Sequence, residues 1–163
     1  MDACEALKVG INMGRLITTS YLDDLTDEEM LHRPCEGCNH INWQLGHLIA
    51  SEHMLVSGVC PGAMPALPEG FAEKYSRETV GVDDLAKLET KETLLSVYEQ
   101  QRAATLAALD QLADEDLDRE SPESFRAYAL NVAAIFEMQG SHYVMHAGQW
   151  AVIRRQLGRP PLF

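Results

Sequence analysis

Three features of the sequence predict an all-α fold, a four-helix bundle with one long crossover. There are four stretches of helical period, a Pro- and Gly-rich connection of some thirty residues between the second and third, and no convincing alternating strand. The chain of 163 residues is one domain long, residues 1–163, enough to bury about 70% of the surface its unfolded state exposes. With 46% hydrophobic and 23% charged residues it has the composition of a globular protein, not a disordered one.

The first helix is expected from about Ala3 to Leu25, because Leu7, Ile11, Gly14, Ile17, Tyr21 and Leu25 recur at steps of three and four. Thr26-Asp-Glu-Glu reads as a capping box opening a short helical turn that Pro34 stops. Asn39 and Asn42 are both good N-caps for a second helix running to about Ser57. Its apolar residues spread beyond one face, with Ile41, Leu45 and Leu48 on one side and Trp43, Ala50 and Met54 on another, as in a helix deep in a bundle. The stretch 58–71 holds three prolines and three glycines and cannot continue a helix or form a central strand. With the polar residues up to Thr90 it makes a connection too long for a hairpin, so helices two and three are expected to run in the same direction. Thr90 caps the third helix, striped by Leu95, Tyr98, Thr105, Leu109 and Leu112. The fourth is expected from about Ser124 to Leu157, with a break near its start, and Gly158 and Pro160 end it.

A formal net charge of −12 would repel nucleic-acid backbones and anionic membranes over most of the surface, so neither is an expected partner. Arg154, Arg155 and Arg159 cluster, but at the end of a helix, where cations complement the macrodipole. The first residues are acidic and lack the apolar block of a signal peptide, and no stretch approaches the roughly 18 apolar residues of a membrane span. A cytoplasmic protein is expected, with reduced cysteines.

The chemistry is concentrated on the last helix. Ile135, Met138, His142, His146, Gln149 and Ile153 follow one another at three and four residues, which puts two histidines on an apolar stripe. Imidazoles at i and i+4 can converge on one ion at about 2.0–2.1 Å. A third, His47, falls on the face of helix two that carries Trp43, Ala50 and Met54. A lone inward histidine is more often a hydrogen-bonded core residue. Three are harder to satisfy, since each unpaired buried polar group costs about 1–3 kcal/mol. From spacing alone both a metal site and a hydrogen-bonded bundle stand. Gln149, seven residues after His142, would orient a ligand or a bound water, or merely sit at the mouth of the bundle. Cys35 and Cys38 form one C-x-x-C with no second pair to complete a zinc site; reduced loop thiols are expected there. His32 and His53 read as surface residues, and neither Glu52 nor Glu137 is expected beside the histidines, being five positions from His47 and His142.

The segments NWQLGHLIASEHM and SHYVMHAGQWAVIRRQLGRP, with LDDLTDEEMLHRPCEGCNHINWQLGHL ahead of the first histidine, resemble the DinB/YfiT-like superfamily of metalloenzymes over most of the chain. That family's pattern is a His near the start of helix two and H-x-x-x-H-x-G-Q on the last helix. The resemblance implies an up-down-down-up four-helix bundle, with His47, His142 and His146 as ligands of Zn²⁺, Ni²⁺ or a similar divalent ion. It also implies a homodimer, as do two helices that are apolar on more than one side. Better-understood members transfer low-molecular-weight thiols such as bacillithiol or mycothiol; others look like hydrolases or isomerases. Three imidazoles leave the ion its full charge and an open position, which can lower the pKa of a water from 15.7 to about 7 or hold a thiol as thiolate. The leading expectation is therefore thiol transfer to an electrophilic small-molecule substrate. A metal-dependent hydrolase, a metal- or ligand-binding stress protein without turnover, and a purely structural bundle are the alternatives.

Overall fold

A computed structural model describes residues 1–163 and contains helices and turns but no strand. Four long helices, α1 (Ala3–Leu22), α2 (Ile41–Val59), α4 (Lys91–Leu109) and α5 (Val132–Gln156), are joined by 3₁₀ turns and a one-turn helix α3 (Phe71–Lys74). None is long and apolar enough to cross a membrane.

Each boundary has a local cause. Asp2 opens α1 by accepting from Glu5 N, and Glu5 returns the bond to Asp2 N. The helix stops at Leu22, short of the expected Leu25, where Asp23 and Asp24 would put negative charge against the C-terminal end of the dipole. The Thr26 capping box is present, with Glu29 N donating to Thr26 Oγ1 at 3.2 Å and Thr26 N to Glu29 Oε2 at 2.9 Å. Neither asparagine caps α2. His40 does, its Nδ1 accepting from Trp43 N while Nε2 donates to Val82 O. Asn42 lies inside the helix and is buried, tying Glu89 O and Tyr75 Oη to α2. Thr90 caps α4, which ends at Leu109 and leaves Leu112 half-buried beyond it. The expected break before the last helix is wide: residues 123–125 form a 3₁₀ turn, and α5 begins only at Val132, capped by Asn131.

Gly14 and Gly140 bring α1 and α5 into backbone contact; a Cβ on Gly140 would lie 2.8 Å from Gly10 O. The core divides in two. One half gathers Trp43, Leu48, Tyr98, Tyr143 and Trp150, the other Ile11, Val56, Leu109, Ile135 and Phe136. Between them lies a polar layer. Glu52, fully buried, accepts from Thr105 Oγ1 (2.6 Å) and Tyr143 Oη (2.8 Å) and pairs with buried Arg102 at 3.1 Å. Arg102 also donates to Gln139 O and lies over the Tyr143 ring. Burial pushes the Glu52 carboxyl upward, and the Arg102 charge and the two hydroxyls oppose it.

The connection 60–89 is not a loose crossover. Phe71 and Tyr75 are buried, and the Tyr75 ring occupies the space a side chain at position 46 would need. Arg154 and Arg159 do more than complement the dipole of α5. Arg154 is buried and pairs with Asp24, and Arg159 pairs with Glu29, fastening the end of α5 to the turn after α1. Cys35 and Cys38 are joined as a disulfide, with Cα atoms 5.3 Å apart, where reduced thiols were expected. The tight turn through Gly37, whose φ is +76°, brings the two sulfurs together. Cys4 and Cys60 are free.

Candidate metal centre

The buried face of α5 is Ile135, Phe136, Gln139, Tyr143, His146, Trp150 and Ile153. The stripe expected from spacing is thus rotated slightly. His146 stays inside it, Met138 and His142 move to its half-buried flank, and Gln149 is exposed. That flank opens toward α2. His47, half-buried, meets the pair there, with ring centroids 5.7 Å from His142 and 6.1 Å from His146; the latter two are 5.0 Å apart. One ring nitrogen from each of His47, His142 and His146 lies within 4.8 Å of the others.

The surroundings prepare these rings for coordination. Trp43, one turn before His47, stacks on it with planes 4° apart. Gln44 fixes His146. Trp150 Nε1, which can only donate, bonds Gln44 Oε1 at 2.9 Å, and Gln44 Nε2 donates to Asn39 O. Oε1 is therefore the oxygen, and the bond it makes with His146 Nδ1 at 2.8 Å requires the proton on Nδ1. His146 Nε2 is left with its lone pair. Gln149, expected either to orient a ligand or a bound water or to sit at the mouth of the bundle, is exposed and meets Gln44 Nε2 at 3.2 Å. Sequence reasoning missed Gln44, although its position three residues before His47 places both on one side of α2.

Burial holds all three imidazoles below their usual range, His142 and His146 at about 4. The charges of neighbouring histidines add to the effect at His142 and His146, and Arg77 adds to it at His47. At neutral pH the rings are uncharged, which is the ligating form. Neither His47 nor His142 has a hydrogen-bond partner in the protein. Unpartnered neutral imidazoles converging from two helices fit one divalent ion; small rotations of the two half-buried rings would close the nitrogens to the 2.0–2.1 Å that such ions take.

His47 and His142 form one end of a cleft of about 600 Å³ between α2, α5 and the connection. Its walls are mainly apolar, with Ala50, Met54 and Leu55 from α2, Leu67 and Ala72 from the connection, and Met138 from α5. Tyr128 and the polar side chains of Ser51, Ser76, His53 and Arg77 complete the lining, and no carboxylate is part of it. His53 is not the surface residue its position suggested. It is half-buried in the cleft, and its Nδ1 lies 3.1 Å from Gln101 Oε1, an amide oriented by Gln101 Nε2 donating to Pro65 O. By the logic applied to Gln44, His53 Nδ1 carries a proton, and Nε2 has no partner in the protein. Nothing in the sequence pointed to Arg77, which comes from the crossover. Glu52 is not part of the cluster or of the cleft lining, and the C-x-x-C lies on the loop before α2.

No curated protein matches the sequence. A family model described as the DinB superfamily matches residues 13–150, a span that includes all three histidines. The match covers well over half of the chain, and the all-helical fold and the three-histidine cluster agree with the resemblance read from the sequence: the chain belongs to the DinB superfamily.

Proposed function

We propose that this chain is a divalent-metal-dependent enzyme, with His47, His142 and His146 as the ligands of Zn²⁺ or Ni²⁺, that transfers a low-molecular-weight thiol to an electrophilic small molecule. The observation that carries the metal reading is the meeting of three neutral imidazoles within 4.8 Å at the end of an open cleft. When bound, the ion supplies a positive charge that stabilises an anionic nucleophile such as a thiolate. The chain's own residues do the rest. Trp43 and Gln44 hold two of the rings in place, the apolar walls exclude water from the reacting groups, and His53 Nε2 offers a site for the displaced proton. Calorimetric titration with Zn²⁺ and Ni²⁺ tests the centre: the wild type binds one ion and His142→Ala does not. Equal binding by the two proteins, or none by the wild type, refutes it. Consumption of a thiol with an electrophile by the loaded wild type alone tests the reaction.

The up-down-down-up order of the long helices is part of the same reading. Pairs such as Gly14–Gly140 and Asp24–Arg154 support parallel α1 and α5, and Asn42–Glu89 and Glu52–Thr105 support parallel α2 and α4. We also propose a cytoplasmic homodimer. Exposed Val9, Met13 and Leu16 on α1 and Val144 and Met145 on α5 are apolar surface that a second copy would cover. A monomer of 18.1 kDa by light scattering at micromolar concentration excludes the dimer.

A further inference from the structure

In a chain this acidic, cations are rarely left alone. Ten of the 13 Lys and Arg side chains pair with a carboxylate, and Lys91 Nζ donates to two carbonyls. Arg77 and Arg155, both exposed, have neither a hydrogen-bond partner nor a carboxylate within the 4.0 Å of an ion pair, and of the two only Arg77 lines the cleft; its chain neighbour Glu78 feels its charge but neither pairs with it nor lines the cleft. Arg77 lies in the 3₁₀ turn 77–79 beside Ser76, whose carbonyl accepts from Trp43 Nε1 and Thr79 Oγ1, so the turn is anchored to the residue that stacks on His47. It is the only charged side chain lining the cleft. A guanidinium is a planar fork of donors suited to carboxylate or phosphate oxygens. Away from the histidines, Ser51 and Ser76 the walls are apolar, and the cleft volume is that of a small-molecule site.

We infer that Arg77 is an anion-recognition residue, and that the small molecule taken by this cleft has an apolar body and an anionic head, carboxylate or phosphate, with the head at Arg77 and the reacting end toward His47 and His142. This rests on the cleft being the reaction site, but the contact with Arg77 itself does not require the ion.

The test uses three probes of one chain length, octanoate, octyl phosphate and octanamide, added to the metal-free protein at neutral pH and low salt. Binding is read by calorimetry and by tryptophan fluorescence, to which Trp43 reports. At least one anion should bind about fivefold or more tightly than the neutral amide, and the tighter anion identifies the head group. The preference should vanish in Arg77→Met, survive in part in Arg77→Lys, and persist in His142→Ala. A preference that survives in Arg77→Met, equal binding of all three probes, or binding of none overturns the inference. Metal affinity, measured on the same variants, separates the two readings. If Arg77→Met keeps its metal but loses the anion preference, both stand. A wild type that prefers the anion yet binds no metal keeps this inference and refutes the metal centre.

Discussion

Replacing Gln44 by Leu should reduce metal affinity more than any change outside the three histidines. The side chain is fully buried, and its single oxygen accepts from both His146 Nδ1 and Trp150 Nε1. Leucine fills similar volume and accepts nothing. His146 then loses the bond that keeps the proton on Nδ1 and its orientation toward His47. Removal of a group that orients a metal-bound histidine costs about 10–100-fold in affinity, which is about 1.4–2.7 kcal/mol. A second cost is independent of the ion. Trp150 is fully buried, and its orphaned N–H should lower folding stability by about 1–3 kcal/mol. Gln149→Ala is the control, since Gln149 is exposed and touches the network only through Gln44 Nε2. Calorimetric titration of the three proteins with Zn²⁺ and Ni²⁺ gives the affinities, and urea unfolding of the metal-free forms gives the stabilities. A Gln44→Leu protein that binds within twofold of wild type, or a Gln149→Ala protein that loses more, would refute the assignment of the His146 tautomer.

Two glycines of α5 should respond with opposite signs. Gly140→Ala drives a Cβ to 2.8 Å from Gly10 O, a backbone atom that no rotamer can move, and should cost about 1–3 kcal/mol in chemical unfolding; Gly148→Ala meets nothing within 4 Å and should gain up to about 1 kcal/mol. If both stabilise, the close approach of α1 and α5 is wrong. Glu52→Ala strands Arg102 in the core and should cost about 3–5 kcal/mol, while Glu52→Leu combined with Arg102→Met should recover most of it; a double variant no more stable than Glu52→Ala would contradict the ion-pair reading. Hydrogen bonding by Arg154 holds the Asp24 carboxyl below its usual range, and the Thr26 amide and Arg159 do the same for Glu29. Lowered folded-state values mean stability that is present above the unfolded pKa and lost as pH falls through the folded one. Tm should therefore drop on acidification below about pH 4, less steeply in Asp24→Asn, and an unchanged acid limb in that variant would exclude the pair as its source.

The sequence carried the fold wherever helical period and local capping agreed. Thr26, Thr90, Gly158 and the 58–89 connection needed only their own neighbours to be read. Where the reading slipped, a distant residue decided. His40 caps α2 instead of Asn39 or Asn42 because Val82 O takes its other nitrogen, and Val82 lies 42 residues away. Spacing put both histidines of α5 on one stripe but could not give the rotation of the helix, which depends on how Gly140 seats against α1. That rotation buries His146, leaves His142 at the cleft and exposes Gln149. The meeting of His47, His142 and His146 was legible because they lie on two helices whose phase the sequence sets. Arg77 and the inward side of His53 were not, since both depend on where an irregular connection folds back.

The lining of the cleft is unusual for so acidic a protein. The chain has 25 Asp and Glu residues, yet none lines this cleft. The buried carboxyl group of Glu52 is enclosed by Arg102, Thr105 and Tyr143 and is not part of the lining. A carboxylate in the lining would compete with substrate for the ion and for Arg77 alike, and each would lose attraction for an anion. Aspartate placed at Ser51, on the cleft wall one turn beyond His47, makes that argument testable. Ser51→Asp should raise metal affinity, because an added anionic ligand or near neighbour favours the cation, and should lower the affinity of octanoate by severalfold at low salt. Both changes are measurable by titration, and the second should fade as salt is raised. If the variant binds octanoate as well as wild type at low salt, exclusion of carboxylates is not what makes this cleft receptive to anions.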